Sequence, residues 1–136
     1  MSEVAFPPEN TLSGKDLRRS KKVLLFSPDL HLCASFTLLL QDRFKVVTTT
    51  EGDFVEKILD LIKPDLLITD LSPNEKSADS LRALKEKIPN LKIILFLDSW
   101  ITNKGVESSL NKIVDAIFYQ PIDLTEINRR LDFLMS

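Results

Sequence analysis

The chain has 136 residues with 18 basic and 20 acidic side chains, which gives a formal charge of −2 at pH 7. This length suits one domain whose core needs neither disulfides nor a structural metal. One cysteine and one histidine rule out a Cys/His zinc site, a CxxC redox pair and a disulfide framework. Neither GxGxxG nor GxxxxGK[ST] occurs, so the glycine-rich loops that cradle phosphates are excluded as well.

The spacing of the residues also excludes the catalytic arrangements that use a Cys or Ser nucleophile. Cys33 and His31 are two residues apart at a predicted helix start, and side chains two apart on a helix do not face each other. No GxSxG elbow is present for a Ser–His–Asp arrangement. We therefore expect the protein not to be an enzyme.

Charge and hydropathy also limit the partners. A weak negative charge disfavours a broad nucleic-acid surface. The longest apolar run is about six residues, against the roughly 20 that span a bilayer. Residues 1–8 contain Glu3 and two prolines where a secretory signal needs basic residues and a long apolar stretch. We expect a cytoplasmic protein that binds neither nucleic acid nor membranes.

Residues 1–20 are predicted to be a flexible N-terminal tail in front of one domain at residues 21–136. The tail has Pro7, Pro8 and scattered polar residues without helical or strand periodicity. Five of the eight residues in Lys15–Lys22 are basic. This run is either a solvated lead-in to the first strand or an arm that contacts phosphates.

From Lys21 onward, short apolar runs alternate with helical stripes. The runs are typical of strands buried on both faces, and the stripes have three- and four-residue spacing. The first elements are a strand at Val23–Phe26, a helix at His31–Arg43 (inward Leu32, Phe36, Leu39, Leu40), a strand at Phe44–Thr50, a helix at Asp53–Lys63 (inward Phe54, Ile58, Leu61, Ile62) and a strand at Asp65–Leu71.

The same alternation continues to the last residues. Asp123 and Glu126 have the spacing of a capping box, which predicts the start of the final helix. The later elements are a helix at Ser77–Ile88, a strand at Lys92–Leu97, a helix marked by Val106, Leu110 and Ile113, a strand at Ala116–Tyr119, and a helix with Leu124, Ile127, Leu131 and Leu134 inside.

Five strand–helix repeats predict an α/β fold of the (βα)5 type. Its parallel sheet has helices on both faces, and right-handed crossovers make it a doubly wound sandwich. In such sheets the functional crevice lies beyond the carboxyl ends of the strands. The segments expected there are Ser27–Asp29, Asp70–Pro73, Asp98–Trp100 and Gln120–Pro121.

The segment KPDLLITDLSPN at residues 63–74 resembles the part of response regulator receiver domains that contains the phospho-acceptor aspartate. The resemblance covers residues 21–136 and implies a flavodoxin-like sandwich with strand order 2-1-3-4-5. It places Asp70 at the phospho-acceptor position. Tyr119–Pro121 stands where the family has a Lys-Pro pair joined by a cis peptide bond, so we predict a cis Gln120–Pro121 bond.

The chemistry of that family needs several charged groups. An aspartate accepts a phosphoryl group from a histidine kinase, and two acids after the first strand hold a divalent cation. A lysine after the fifth strand adds a second positive charge. A hydroxyl after the fourth strand binds the phosphoryl oxygen, and an aromatic residue on the fifth strand rotates inward.

This sequence departs from the pattern at the charged positions. Ser27 and Pro28 occupy the places of the two acids, and Asp29 comes one residue late. Gln120 occupies the place of the lysine, where it would be a neutral hydrogen-bonding partner of Asp70. The two positive charges that the chemistry needs are therefore weakened or absent.

The hydroxyl and aromatic positions also differ. Leu97 or Asp98 stands at the hydroxyl position, and Ile117 stands at the aromatic position, near Tyr119. A phosphoryl group brings about −1.5 to −2 charge. A carboxylate such as Asp98 at about 4 Å would repel each unit of that charge by roughly 4 kcal/mol at an effective dielectric near 20.

The sequence therefore predicts a degenerate receiver, or pseudo-receiver, that acts through protein–protein interaction with weak or no phosphorylation and without a cofactor. The alternative is a working single-domain regulator phosphorylated on Asp70, with Mg²⁺ held by Asp29 and Asp70. Those two residues and Asp98 could also hold a cation without phosphorylation. A remote alternative is a cobalamin-binding domain, because DLHLCA at residues 29–34 approaches DxHxxG with His31 as the ligand.

The expected partner is a signalling protein, such as a histidine kinase or another regulator, or a second copy in a homodimer. The resemblance implies a partner surface on the fourth helix, fifth strand and fifth helix. Trp100, Ile117 and Tyr119 are its candidate residues. Trp100 could instead fold back over the crevice. No output domain follows the last helix in this sequence, so we expect output to come from binding.

Overall fold

The computed structural model describes residues 21–70, 75–98 and 104–135. The predicted tail at residues 1–20 lies outside that part of the chain, as do residues 71–74 and 99–103. In chain order the elements are β1 (Lys22–Phe26), α1 (Leu30–Leu40), β2 (Lys45–Thr49), a 3-10 turn (Gly52–Phe54), α2 (Val55–Ile62), β3 (Leu66–Asp70), α3 (Glu75–Lys87), β4 (Lys92–Asp98), α4 (Lys104–Ile113), β5 (Ala116–Gln120) and α5 (Leu124–Leu134).

The five strands form one parallel sheet in the order β2-β1-β3-β4-β5. This is the predicted order 2-1-3-4-5, and the predicted (βα)5 sandwich is confirmed. The central strands are apolar on both faces because helices cover both sides; Val23, Leu24 and Leu25 of β1 are all fully buried. In the described part of the chain, no helix is long and apolar enough to cross a membrane.

Alternate residues of each strand pack into two separate core layers, one on each face of the sheet. Phe96 of β4 packs on Phe36 of α1, with ring centroids 5.5 Å apart, in the layer beneath α1 and α5. Leu95 points to the opposite face, where it packs with Leu59 of α2 and Leu110 of α4. The sheet therefore holds its carboxyl edge in a fixed geometry between two filled layers.

The last helix begins as predicted. The Asp123 carboxylate accepts hydrogen bonds from the main-chain N–H groups of Thr125 (3.0 Å) and Glu126 (3.3 Å). These bonds satisfy donors that a helix start leaves unpaired. Glu126 forms an ion pair with Arg129 one turn later.

The first helix is shorter than predicted, because it ends at Leu40 and not at Arg43. The main-chain N–H groups of Arg43 and Phe44 both donate to the carbonyl of Leu40 (2.9 Å each), which closes the chain into a turn. The Arg43 side chain leaves the helix to bind Asn128 and Asp132 of α5. The earlier end of α1 therefore goes together with a tertiary contact between Arg43 and α5, which the local sequence does not reveal.

The inward face predicted for α2 was wrong in part. Phe54 is 50% exposed and Leu61 is 81% exposed, whereas Leu59 is 2% exposed. Val55, Leu59 and Ile62 form a stripe of the same helical spacing, and it is this stripe that packs on the sheet. Two apolar stripes overlap in this helix, and tertiary packing selects between them.

Lys63 ends α2 in the left-handed conformation, with φ 49° and ψ 65°. A residue with a Cβ atom is strained there, whereas glycine is not. We expect Lys63→Gly to raise the free energy of unfolding by about 0.5–1 kcal/mol, measured by urea denaturation.

Lys57→Gly, within α2, is the matched control. The same substitution should there lower the free energy of unfolding by about 1 kcal/mol. A loss of stability in both variants would contradict the strain assigned to Lys63.

Candidate functional site

Three strand ends meet around one carboxylate at the carboxyl edge of the sheet. Asp70, the last residue of β3, is partly buried. Its Oδ2 atom accepts hydrogen bonds from the Ser27 hydroxyl (3.3 Å) and from the Gln120 side-chain amide (3.3 Å). The predicted hydrogen bond between Gln120 and Asp70 is confirmed. The Gln120–Pro121 peptide bond is cis, which is also as predicted.

Ser27 is predicted to stand at the first of the two positions where receiver domains have acids. It is fully buried, its hydroxyl donates to Asp70, and the same oxygen accepts from the main-chain N–H of Asp29 (3.1 Å). Pro28 beside it is exposed and has no side-chain donor or acceptor. The hydrogen bond that links β1 to the Asp70 carboxylate of β3 therefore has a neutral donor.

Asp29 is the N-cap of α1. Its Oδ1 atom accepts from the main-chain N–H groups of His31 (2.9 Å) and Leu32 (3.2 Å). A carboxylate at this position satisfies two unpaired donors and lies at the positive end of the helix dipole. His31 is exposed at the helix start, as expected of a surface residue there.

The oxygen donors that the structure describes around Asp70 fit a divalent cation poorly. Mg²⁺ is usually bound through one or two carboxylates together with several waters. Here the Asp70 carboxylate receives two neutral donors, and the Asp29 carboxylate caps a helix. Within residues 21–70, 75–98 and 104–135, no group of three or more His, Cys, Asp or Glu side chains could hold a metal ion. The shared cation of Asp29 and Asp70 stays a prediction.

The end of β4 contributes one side chain that the structure describes. Leu97 is buried among the apolar residues under α2, α3 and α4, so it does not offer a polar group to the site. Asp98 lies opposite Gln120 in the strand register. The predicted repulsion from the Asp98 carboxylate stays a prediction. Trp100 lies outside the described residues.

Cys33 and His31 do not form a reactive pair. The Cys33 side chain is 2% exposed and its sulfur lies 3.5 Å from the Ser27 carbonyl oxygen. Burial raises the pKa of the Cys33 thiol, so the nucleophilic thiolate is disfavoured. His31 is exposed on the same helix.

The side chains of Ile117 and Tyr119 lie on the same face of β5, because the two residues are two positions apart in the strand. Ile117 is partly buried and packs on the layer under α2, α3 and α4. Tyr119 is 42% exposed, and its hydroxyl donates to the Glu107 carboxylate of α4 (2.5 Å). This hydrogen bond raises the pKa of Tyr119 to about 12. Sequence reasoning missed this contact, because no local pattern pairs a side chain of α4 with one of the following strand.

Comparison with known proteins supports the fold. No protein-family model and no curated protein sequence matches the chain. Similar solved structures include an orphan response regulator of H. pylori, with 17% identity and a TM-score of 0.74 over 88% of this chain and 99% of that one. The chemotaxis protein CheY4 of Vibrio cholerae has 14% identity and a TM-score of 0.69 over 85% and 98% of the two chains.

The N-terminal domain of the nisin resistance regulator NsrR, a lantibiotic response regulator, is a further match. It shares 19% identity with this chain at a TM-score of 0.70, over 85% of this chain and 98% of that domain. The chain therefore has the fold of response regulator receiver domains.

The chain has a single tyrosine, so an ultraviolet titration of tyrosinate absorbance reports Tyr119 alone. We expect a midpoint at about pH 12, because the Glu107 carboxylate accepts the phenolic proton's hydrogen bond. In Glu107→Gln the midpoint should fall toward about 10, the ordinary value for tyrosine.

Glu126→Gln on α5 is the control, because Glu126 pairs with Arg129. It should leave the midpoint unchanged. A wild-type midpoint near that of free tyrosine would show that the contact with Glu107 does not persist in solution.

Proposed function

We propose that the chain is a pseudo-receiver, a non-enzymatic cytoplasmic signalling module that works by binding a protein partner with little or no phosphorylation. The observation that carries this proposal is that Ser27 and Gln120, which both donate to Asp70, are neutral. Ser27 and Gln120 donate to its carboxylate at the positions where working receivers have an acid and a lysine. The fold supplies the scaffold, and these two residues remove the charge on which phosphoryl transfer depends.

The missing positive charge would make a large difference to the free energy of phosphorylated Asp70. A phosphoryl group on Asp70 would add about −1.5 to −2 charge at pH 7. A lysine ammonium at about 4 Å would stabilise each unit of that charge by roughly 4 kcal/mol at an effective dielectric near 20. The amide of Gln120 has a dipole and no net charge, so it supplies only a small part of that stabilisation.

A cation could offset the deficit only if the capping carboxylate were released. Asp29 would have to turn from the helix start toward Asp70 to become a second anionic ligand. Loss of an N-cap costs roughly 0.5–2 kcal/mol of stability. We infer that Mg²⁺ binding is weak and that Asp70 is a poor phospho-acceptor.

The partner is a signalling protein, such as a histidine kinase or another regulator. Tyr119 is exposed at the outer edge formed by β5 and α4, where its ring is held by Glu107. A fixed, half-exposed aromatic ring is a suitable anchor for a protein partner. We infer that this edge, with Ile117 on the same strand, is the partner surface. We propose that Trp100, which follows β4 in the sequence, contributes to it.

Phosphorylation can be tested directly with phosphoramidate and Mg²⁺. Intact-mass spectrometry should show the wild-type chain unmodified, because neither Ser27 nor Gln120 has a charge that balances a phosphoryl group on Asp70. A stable adduct that disappears in Asp70→Asn would establish the working-receiver alternative instead.

The positive control restores the missing charges. The triple variant Ser27→Asp, Pro28→Asp, Gln120→Lys should gain a phosphoryl adduct that Asp70→Asn removes. Circular dichroism would show whether the variant is folded, because Ser27 is fully buried. If the folded triple variant also stayed unmodified, the electrostatic explanation for the lack of phosphorylation on Asp70 would be wrong.

A further inference from the structure

A cleft of about 470 Å³ lies between α2 and α3, on the face of the sheet opposite α1 and α5. Leu67 and Thr69 of β3 form its floor and are 2% and 5% exposed. Val55, Leu59 and Leu84 line its walls. Clefts of roughly 300–1,000 Å³ with mostly apolar walls are typical of binding sites. This cleft is therefore large enough to take several apolar side chains.

The chain enters the described domain beside the end of α2. The Lys22 Nζ atom donates to the main-chain carbonyl of Ile62, the last residue of α2 (3.1 Å). The main-chain N–H of Lys22 donates to the Oδ2 atom of Asp65, in the loop that follows (2.9 Å). Leu59, in the wall of the cleft, comes three residues before Ile62, which is about 4.5 Å along the helix axis. Residues 1–20 therefore join the domain within one helical turn of the cleft.

One segment of residues 1–20 matches the apolar character of the cleft. Val4–Pro8 reads VAFPP and is the longest run without a polar or charged residue in that part of the sequence. The Phe6 ring supplies a large apolar area to bury. Two adjacent prolines restrict the backbone before binding, which lowers the entropy lost on binding. We call residues 4–8 the tail segment.

The connection to the domain is long enough for the tail segment to reach the cleft. Thirteen residues, 9–21, lie between Pro8 and Lys22. At about 3.3 Å per residue an extended chain of this length spans roughly 40 Å. The eight residues of α2 extend over about 12 Å. A tether that spans the distance gives an effective concentration in the millimolar range, which favours the tail segment of the same chain over that of a second copy.

We propose that the tail segment binds in the cleft between α2 and α3 of its own chain. The cleft offers apolar walls at one helical turn from the point where residues 1–20 join the domain, and the tail segment is the apolar part of those residues. Burial of Phe6 and the two prolines against Leu59, Leu67 and Leu84 drives the association.

The bound tail segment would act on the site at the carboxyl edge of the sheet. Phe26 and Thr69 line the cleft, and they directly precede Ser27 and Asp70 in the chain. An occupant of the cleft therefore packs against the ends of β1 and β3 from the α2–α3 face. A partner that displaces the tail segment would loosen these two strand ends. This proposal goes beyond the pseudo-receiver function and does not depend on whether Asp70 accepts a phosphoryl group.

Disulfide trapping in the full chain tests the position of the tail segment. The variant Ala5→Cys/Ala83→Cys has one thiol beside Phe6 and one on the exposed α3 wall of the cleft. In a glutathione redox buffer, the effective concentration of this thiol pair should exceed that of Ala5→Cys/Ser35→Cys by about tenfold or more. Ser35 is exposed on α1, on the opposite face of the sheet. Cys33 is 2% exposed, so its thiol does not compete.

A third substitution tests whether apolar burial holds the tail segment. Phe6→Ser, added to Ala5→Cys/Ala83→Cys, should lower the effective concentration to that of the Ser35→Cys control, because most of the buried apolar area is lost. Circular dichroism checks that each variant is folded, and intact-mass spectrometry distinguishes a disulfide within one chain from one between two chains. Equal trapping at Ala83→Cys and Ser35→Cys, a preference that survives Phe6→Ser, or a disulfide between two copies would each overturn the proposal.

Discussion

The contact on which the site depends is the pair of hydrogen bonds that Ser27 and Gln120 donate to Asp70. It ties the ends of β1, β3 and β5 together at one carboxylate. Both donors are neutral, so these two bonds position the carboxylate through dipoles. Two neutral donors can hold the strand ends in place, but they offer little stabilisation to an added dianion.

Much of the fold could be predicted because each strand is a short apolar run and each helix has an amphipathic stripe. The capping carboxylate of Asp123 and the hydrogen bond from Gln120 to Asp70 also follow from local pattern and strand position. The orientation of α2 could not be predicted, since the apolar stripes through Leu59 and Leu61 have the same spacing. The end of α1 was missed because Arg43 is drawn away by contacts with α5.

The role of Asp29 shows a similar limit. Asp29 comes one residue after the positions of the acid pair. From the sequence alone, it could be either a cation ligand or a helix cap. The structure gives its Oδ1 atom two main-chain N–H donors at the start of α1. Local capping thus uses the carboxylate that a cation would need. The bond from Tyr119 to Glu107 had no sequence signal at all, because parallel topology alone brings β5 beside α4.

A module without a phosphoryl switch must be controlled by what binds it. A partner shifts a conformational equilibrium only by its differential affinity for the two states. The proposed partner surface lies at the β5 edge of the sheet, and Gln120 links the end of β5 to Asp70 at the end of β3. Removing the Gln120 side chain would cut that link, so a shift that a partner at the β5 edge transmits to Asp70 through this bond should vanish in Gln120→Ala.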